Sequence, residues 1–367
     1  MDNAPNWPDR RLLDLLDLDH PIIQAPMAGA GGSALASAVC GAGGLGSLPC
    51  AMLDGAQIQA EIDRLRQHTN RPFNLNFFCH QPAPHDAAKL AAWQARLAPY
   101  YAAEGLDPAT TAAAPNRAPF DNASCALVEQ LRPAVVSFHF GLPDSDLLDR
   151  VKASGAKILS SATTVREARW LAERGVDAII AQGNEAGGHR GMFLDTDISA
   201  QPGVFALIPQ VVDAVDVPVI GAGGIADGRG IAAALALGAA GVQIGTAFLM
   251  SPEALISPIH RQALAAADDA QTQVTNLFSG RPARGLRNKI MRELGPMSDD
   301  APAFPTAGGS LAPLKAAAEK HGRGDFSSLW SGQAAALAVP APAAEVIERL
   351  CRETAERFGF LVPHRDD

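Results

Sequence analysis

One histidine in this chain stands in surroundings suited to chemistry. In the segment AQGNEAGGHRG (181–191), His189 is framed by Gly187, Gly188 and Gly191, with Gln182 a few residues before it. An imidazole titrates near neutrality and can take a proton from carbon. Glycines let backbone approach a flat ligand, and the Gln182 amide can both donate and accept. Other side chains extend the set. His139, in SFHFGLP, is read either as a substrate contact or as a hydrogen-bonded wall residue. Glu185 is either a second acid/base or, as we prefer, a brace for the loop. Met27 in QAPMAG either packs on a flat ring or belongs to the core. Asn74 and Asn76 alternate along one extended run and therefore face the same side, a polar lumen or a ligand edge.

A second constellation suits an anion. IGAGGIADG (220–228) and VQIGTAF (242–248) each end an apolar run in glycines. Backbone N–H groups approach a phosphate closely there, and the N-terminus of a following helix favours negative charge. The blander reading, glycines that only turn the chain, does not explain two such clusters at successive run ends. Gly221, Gly223 and Ala226 also fit the dinucleotide pattern G-x-G-x-x-A. That pattern needs an acid at the end of the next strand to hold a ribose, and GVQIGTAFLM (241–250) has none. Gly41, Gly43 and Gly46 match as well, but they follow a helical stretch and open a strand, the reverse of what the pattern requires.

These groups need a frame. Short apolar runs occur at 21–29, 43–49, 72–78, 134–141, 157–163, 177–183, 217–224 and 241–249. Most are almost continuously hydrophobic, as parallel strands covered on both faces must be. Between them, stretches such as VREARWLAERG (165–175) repeat apolar residues at helical spacing. Eight βα units in series predict an α/β fold, a (β/α)8 TIM barrel whose chemistry sits at the strand C-terminal ends. The rhythm breaks at 80–130, where Trp93, Tyr100 and Tyr101 fall in a helical stretch followed by a Pro/Ala-rich connection, with low complexity at 107–118 and again at 334–344. It stops after Met250. AAEVIERLCRETAERFG (343–359) then reads as an amphipathic helix. The expected division is a barrel over 1–250, a smaller cap domain over 251–335 closing on the active face, and a C-terminal part, 336–367, returning to the barrel.

Composition narrows the partners. Thirty basic against 39 acidic side chains give a net charge of -9, and no Lys/Arg cluster is interleaved with aromatics, so neither nucleic acid nor an anionic membrane is expected. The N-terminal stretch lacks a signal-like apolar region, and no uncharged apolar run reaches roughly 18 residues. The five cysteines are scattered without CxxC or CxxH spacing. We expect reduced thiols in the cytoplasm and no metal site. A homodimer is left open.

Taken in order, PIIQAPMAG, PFNLNFF, VVSFHFGLP, AQGNEAGGHRG, GAGGI and QIGTAFL resemble the class I nitronate monooxygenases, formerly 2-nitropropane dioxygenases. The resemblance runs from about 21 to 335 and includes GRPARGLRN (280–288) and SSLWSGQ (327–333). It implies bound FMN and oxidation of alkyl nitronates, such as propionate 3-nitronate, by O2 to carbonyl compounds and nitrite. Carried over by motif, Ala25, Pro26, Met27, Asn76, Gln182, Gly187, Gly188, Gly223, Gly224, Gln243, Ile244, Gly245 and Thr246 would contact FMN. His189 would be the catalytic base and His139 a neighbour in the substrate pocket. Phe304 stands where similar enzymes are expected to carry a tyrosine, which bears on substrate preference. Two rivals share the anion site: an FMN barrel reducing a quinone or enoyl thioester with NAD(P)H, and a colourless lyase or isomerase of a phosphorylated substrate.

Overall fold

A computed structural model describes residues 7–83, 86–107 and 117–361. Its strands, in chain order, are β1 (Ile22–Gln24), β2 (Gly46–Pro49), β3 (Phe73–Phe78), β4 (Val135–His139), β5 (Lys157–Ala162), β6 (Ala178–Gln182), β7 (Gly188–His189), β8 (Val219–Ala222), β9 (Gly241–Ile244), β10 (Thr272–Thr275) and β11 (Ala283–Leu286). Eight of them pair in parallel in the order β1-β9-β8-β6-β5-β4-β3-β2. A parallel bridge between Ile23 and Leu45 joins the two ends, so the sheet curls into a barrel. Each of the eight apolar runs contains one of these strands, and the helices between them cover the outside as a (β/α)8 fold requires.

The strands are buried on both sides, and the lumen is partly polar. Asn74 Nδ2 donates to Ser47 Oγ and Ser137 Oγ at 3.0 and 2.9 Å, and Gln24 Oε1 accepts from Ser47 N–H at 2.9 Å. These pairings satisfy Asn74 Nδ2 and Gln24 Oε1, while Asn74 Oδ1 is buried without a partner. At the N-terminal ends of the strands, the helix Arg11–Leu16 presses Leu12 against Gly241 so tightly that a Cβ on the glycine would lie 2.4 Å from Leu12 Cδ2. The C-terminal helix Ala343–Leu361 lies on the barrel wall, its Val346, Ile347 and Leu350 in the main apolar core. Glu353 comes so close to Gly228 that no other residue would fit there. No helix among the described residues is long and apolar enough to cross a membrane.

A separate apolar cluster joins Leu277, Phe278, Ile290, Met291, Leu311, Leu314 and Phe326 to Trp93, Leu97 and Tyr101. The last three belong to the helix Ala87–Ala103. Trp93 Nε1 donates to Ala307 O at 3.2 Å and Tyr101 Oη to Ser310 O at 2.6 Å. A boundary at 250 thus separates this helix from the residues it packs with; the insertion after β3 contributes to the layer formed by the late segment. Of the Ala/Pro stretch at 107–118, residues 108–116 lie outside the described residues.

Candidate active site

The loop after β6 folds back on its own strand end. Gln182 spans it: Nε2 donates to His189 O at 3.0 Å, and Oε1 accepts from Gly191 N–H at 2.7 Å. Arg190, fully buried, donates to Gln201 Oε1, Gly183 O and Gln182 O at 2.7, 2.7 and 3.0 Å. Burial pulls its guanidinium down to about 10, and these acceptors replace the water it has lost. Glu167, also buried, accepts from the N–H groups of Phe193 and Leu194 at 2.6 and 3.1 Å and so holds the far end. Gly188 sits at φ +71°, the left-handed region. A Cβ on Gly187 would lie 2.5 Å from Gly332 N. These glycines are demanded by the fold of the loop.

Two residues of this loop form β7, which pairs antiparallel with β11 (Ala283 opposite His189, Arg284 opposite Gly188). With β10 they make a three-stranded sheet tying the late segment to the loop. That sheet brings Ser279 to His189, Nε2 to Oγ at 2.9 Å. Ser279 Oγ also stands 3.2 Å from Arg281 O; a hydroxyl that donates there leaves Oγ to accept from the ring. That arrangement places the ring proton on Nε2 and the lone pair on Nδ1, which makes no hydrogen bond among the described residues. Phe304, Trp330, Phe140 and Phe78 surround the ring, with centroids 5.4, 5.5, 6.0 and 6.3 Å away. Burial holds the imidazole well below its usual range, and the positive charge of Arg117 adds to the effect. The ring is a neutral base at neutral pH.

His139 lines the same space, but both nitrogens are engaged. Nε2 faces His189 O at 3.2 Å and must donate; Nδ1 accepts from Ser161 Oγ at 3.0 Å. Burial pushes it down to about 3. The ring thus holds the His189 backbone while still lining the cavity, and both sequence readings are compatible with this geometry. Glu185 is a brace: both its oxygens accept from Val204 N–H, at 3.0 and 2.8 Å, where the helix Val204–Val212 begins.

The cavity, about 540 Å³, lies over the C-terminal ends of the strands. Ala25, Pro26, Met27, Asn76, Gln182, Gly187, Gly188, Gly223, Gly224, Gln243, Gly245 and Thr246 all line it, together with His139 and His189. Ile244 does not; side chains alternate along a strand, and its side chain belongs to the barrel core between the flanking Gln243 and Gly245. Asn74 stays in the lumen. The late segment contributes His260, Phe278, Leu311 and Trp330 to the same lining. Gly223 and Gly224 have φ +112° and +69°. Their backbone N–H groups, and that of Gly245, reach no backbone carbonyl among the described residues. Such consecutive left-handed turns form an anion-binding concavity. The expected help from the next helix is corrected: at Gly228–Ala236 that N-terminus is filled by Asp227, accepting from Arg229 and Gly230, and by Glu353, accepting from Gly228. Thr246 Oγ1 accepts from Gly332 N–H at 2.9 Å, which leaves its own proton available. Gln243 Oε1 is buried without a hydrogen-bond partner.

A family model for nitronate monooxygenase matches residues 9–353. The chain belongs to the nitronate monooxygenase family. A nitronate monooxygenase of Paraburkholderia phytofirmans is 45% identical over 355 residues, covering 96% of this chain and 97% of the relative. Another from Pseudomonas aeruginosa is 41% identical, with 94% and 98% covered. Among solved structures, a nitroalkane oxidase from Streptomyces ansochromogenes superposes with a TM-score of 0.87 at 40% identity, covering 96% of this family member and 100% of that chain. FabK from Thermotoga maritima is more distant, at 0.70 and 29%, with 96% and 97% covered.

Sequence reasoning missed Ser279, Arg190, Arg117 and the aromatic wall around His189. Ser279 directly precedes GRPARGLRN and Trp330 lies in SSLWSGQ, so their segments stood out, but only the β7–β11 pairing brings them to His189.

Proposed function

We propose that this chain is an FMN-dependent enzyme that oxidises alkyl nitronates, such as propionate 3-nitronate, with O2 to carbonyl compounds and nitrite. The observation that carries the reading is His189: a neutral imidazole, its lone pair on Nδ1, in a cavity that also holds an anion-binding backbone turn. The residues present fit the cofactor. The donors of Gly223, Gly224, Gly245 and Thr246 would hold its phosphate. The unpartnered Gln243 Oε1 would accept from a ring N–H, while Ala25, Pro26, Met27 and Asn76 would flank the ring. When bound, FMN supplies a two-electron acceptor that O2 reoxidises.

The chain's own residues account for the rest. His189 Nδ1 takes the α-proton of a neutral nitroalkane, and the nitronate, already an anion, needs no such step. Ser279 holds the tautomer that makes this possible, and His139 and Gln182 fix the His189 carbonyl between them. The four aromatic rings form an apolar wall around the imidazole. The five cysteines are buried and unpaired, which supports a reducing compartment, the cytoplasm.

The test is an anaerobic titration of the purified, yellow protein. Ethyl nitronate should bleach the flavin band within a turnover, and NADH or NADPH should not. A colourless protein would refute the cofactor assignment. Rapid bleaching by NADH with no response to nitronate would favour the reductase reading.

A further inference from the structure

Arg117 is a cavity-lining cation without a counter-ion. It makes no ion pair or hydrogen bond among the described residues, and its Nε is buried and unpartnered. The guanidinium carbon lies 5.7 Å from the centre of the Phe304 ring, on the wall that surrounds His189. Two more unpartnered buried nitrogens belong to the same cluster. His80 Nδ1 is one, its ring 4.7 Å from Phe304; Arg281 Nε is the other, its guanidinium 4.0 Å over Phe140. Carboxylates are scarce here. Among the described residues Glu319 is the one acid in the cavity lining, and it already accepts from Ser327 Oγ at 2.7 Å and faces Lys315 at 3.9 Å. A buried guanidinium is costly unless an anion meets it. Phe304 offers no hydroxyl with which to orient a substrate.

We propose that Arg117 is the residue that holds the negative charge of the substrate and thereby selects the anionic nitronate over the neutral nitroalkane. The proposal rests on the functional reading above. A guanidinium offers two parallel N–H donors matched to a planar pair of oxygens, the shape of the nitronate CNO2 group. Held this way beside Phe304, the substrate lies on the wall shared with His189. Arg117 touches substrate and not the transferred proton, so its loss appears in binding. His189, by contrast, acts on the neutral form alone.

The experiment compares wild type, Arg117→Gln and Arg117→Lys as flavin-loaded, folded proteins. Two readouts are taken: KM and kcat for ethyl nitronate and for neutral nitroethane, and the Kd of sodium nitrate, a planar oxyanion, by calorimetry. Loss of a charge-assisted hydrogen bond should raise both the nitronate KM and the nitrate Kd about 10- to 100-fold in Arg117→Gln. The nitronate kcat and the nitroethane KM should stay within about twofold. Arg117→Lys should recover much of the loss, since the charge remains but not the fork. Unchanged nitrate binding in Arg117→Gln would overturn the proposal, as would equal KM increases for the two substrate forms. If wild type binds nitrate through Arg117 and yet fails to oxidise ethyl nitronate, the functional reading falls and the anion site stands.

Discussion

Replacing His189 with asparagine separates a base from a positioning group. The asparagine amide can still donate to Ser279 Oγ, but it carries no basic lone pair to replace Nδ1. Positioned general-base catalysis is worth roughly 10²–10⁴-fold. The structure places His189 in the lower half of that range. Burial, with Arg117 nearby, depresses its basicity well below that of free imidazole, and a weaker base contributes less to proton abstraction. Turnover of neutral nitroethane should therefore fall by about 10²–10³, equivalent to about 3–4 kcal/mol of barrier. Turnover of ethyl nitronate should fall less than about tenfold, because that substrate has already lost the proton. The assay is O2 consumption with nitrite release. It uses freshly diluted nitroethane or pre-equilibrated nitronate on one preparation whose flavin content is measured first. Equal losses in kcat/KM for the two forms would refute the base assignment and leave His189 a packing residue.

Two further outcomes follow from the geometry. Gly224→Asp should yield apoprotein: it places a side chain at φ +69°, 3.3 Å from Glu185 Cβ, and sets a carboxylate against both Glu185 and the proposed phosphate. Gly224→Ala shares the backbone strain without the charge and should keep part of the flavin; full flavin occupancy in Gly224→Asp would overturn the phosphate assignment. His139, buried neutral at about 3 against 6.5 for the free side chain, should make the protein acid-sensitive. Between those values the unfolded chain binds a proton that the folded one does not, so stability rises with pH. The contribution is complete above about 6.5 and is lost as pH falls toward about 3, by up to about 1.4 kcal/mol per unit. Urea unfolding at several pH values should show this slope, and His139→Gln should flatten it; an unchanged slope in the variant would refute the neutral, buried assignment.

The barrel was legible because its signal is local. Eight short apolar runs need no knowledge of what they touch, and each proved to contain a strand. The His189 loop was legible for a similar reason: Gly187, Gly188 and Gly191 crowd around a histidine within one short segment. What the sequence hid depends on distant pairing. β7 is only two residues long and lies inside a glycine-rich loop, so no period-2 pattern announces it, yet it sets Ser279 and Trp330 beside His189. Trp93 and Tyr101 were visible in a helical stretch, but their partners at Ala307 and Ser310 are some two hundred residues away. Ile244 sends its side chain away from the cavity for a local reason. A motif names consecutive residues, whereas a strand presents only alternate ones to a cavity, so Gln243 faces it and Ile244 faces the core.

The two halves of the site depend on each other in a way that neither motif reveals. The barrel supplies His189 and fixes its carbonyl through Gln182 and His139, but none of these groups determines which ring nitrogen holds the proton. The group that bears on that choice is Ser279, from the late segment: a hydroxyl that donates to Arg281 O leaves Oγ to accept from Nε2. The same late segment passes Gly332 N–H to Thr246 Oγ1, orienting a hydroxyl at the opposite end of the cavity. A barrel with its late segment displaced would keep every residue of the AGGHRG and QIGT motifs. It would lose the Ser279 contact to His189 at one end and the Gly332 contact to Thr246 at the other. The Ser279 contact with His189 and the Gly332 contact with Thr246 thus both depend on the late segment, which β11 ties to β7. The AGGHRG loop has to be glycine-rich for two reasons: to approach a ligand, and to present an edge on which a second strand can pair.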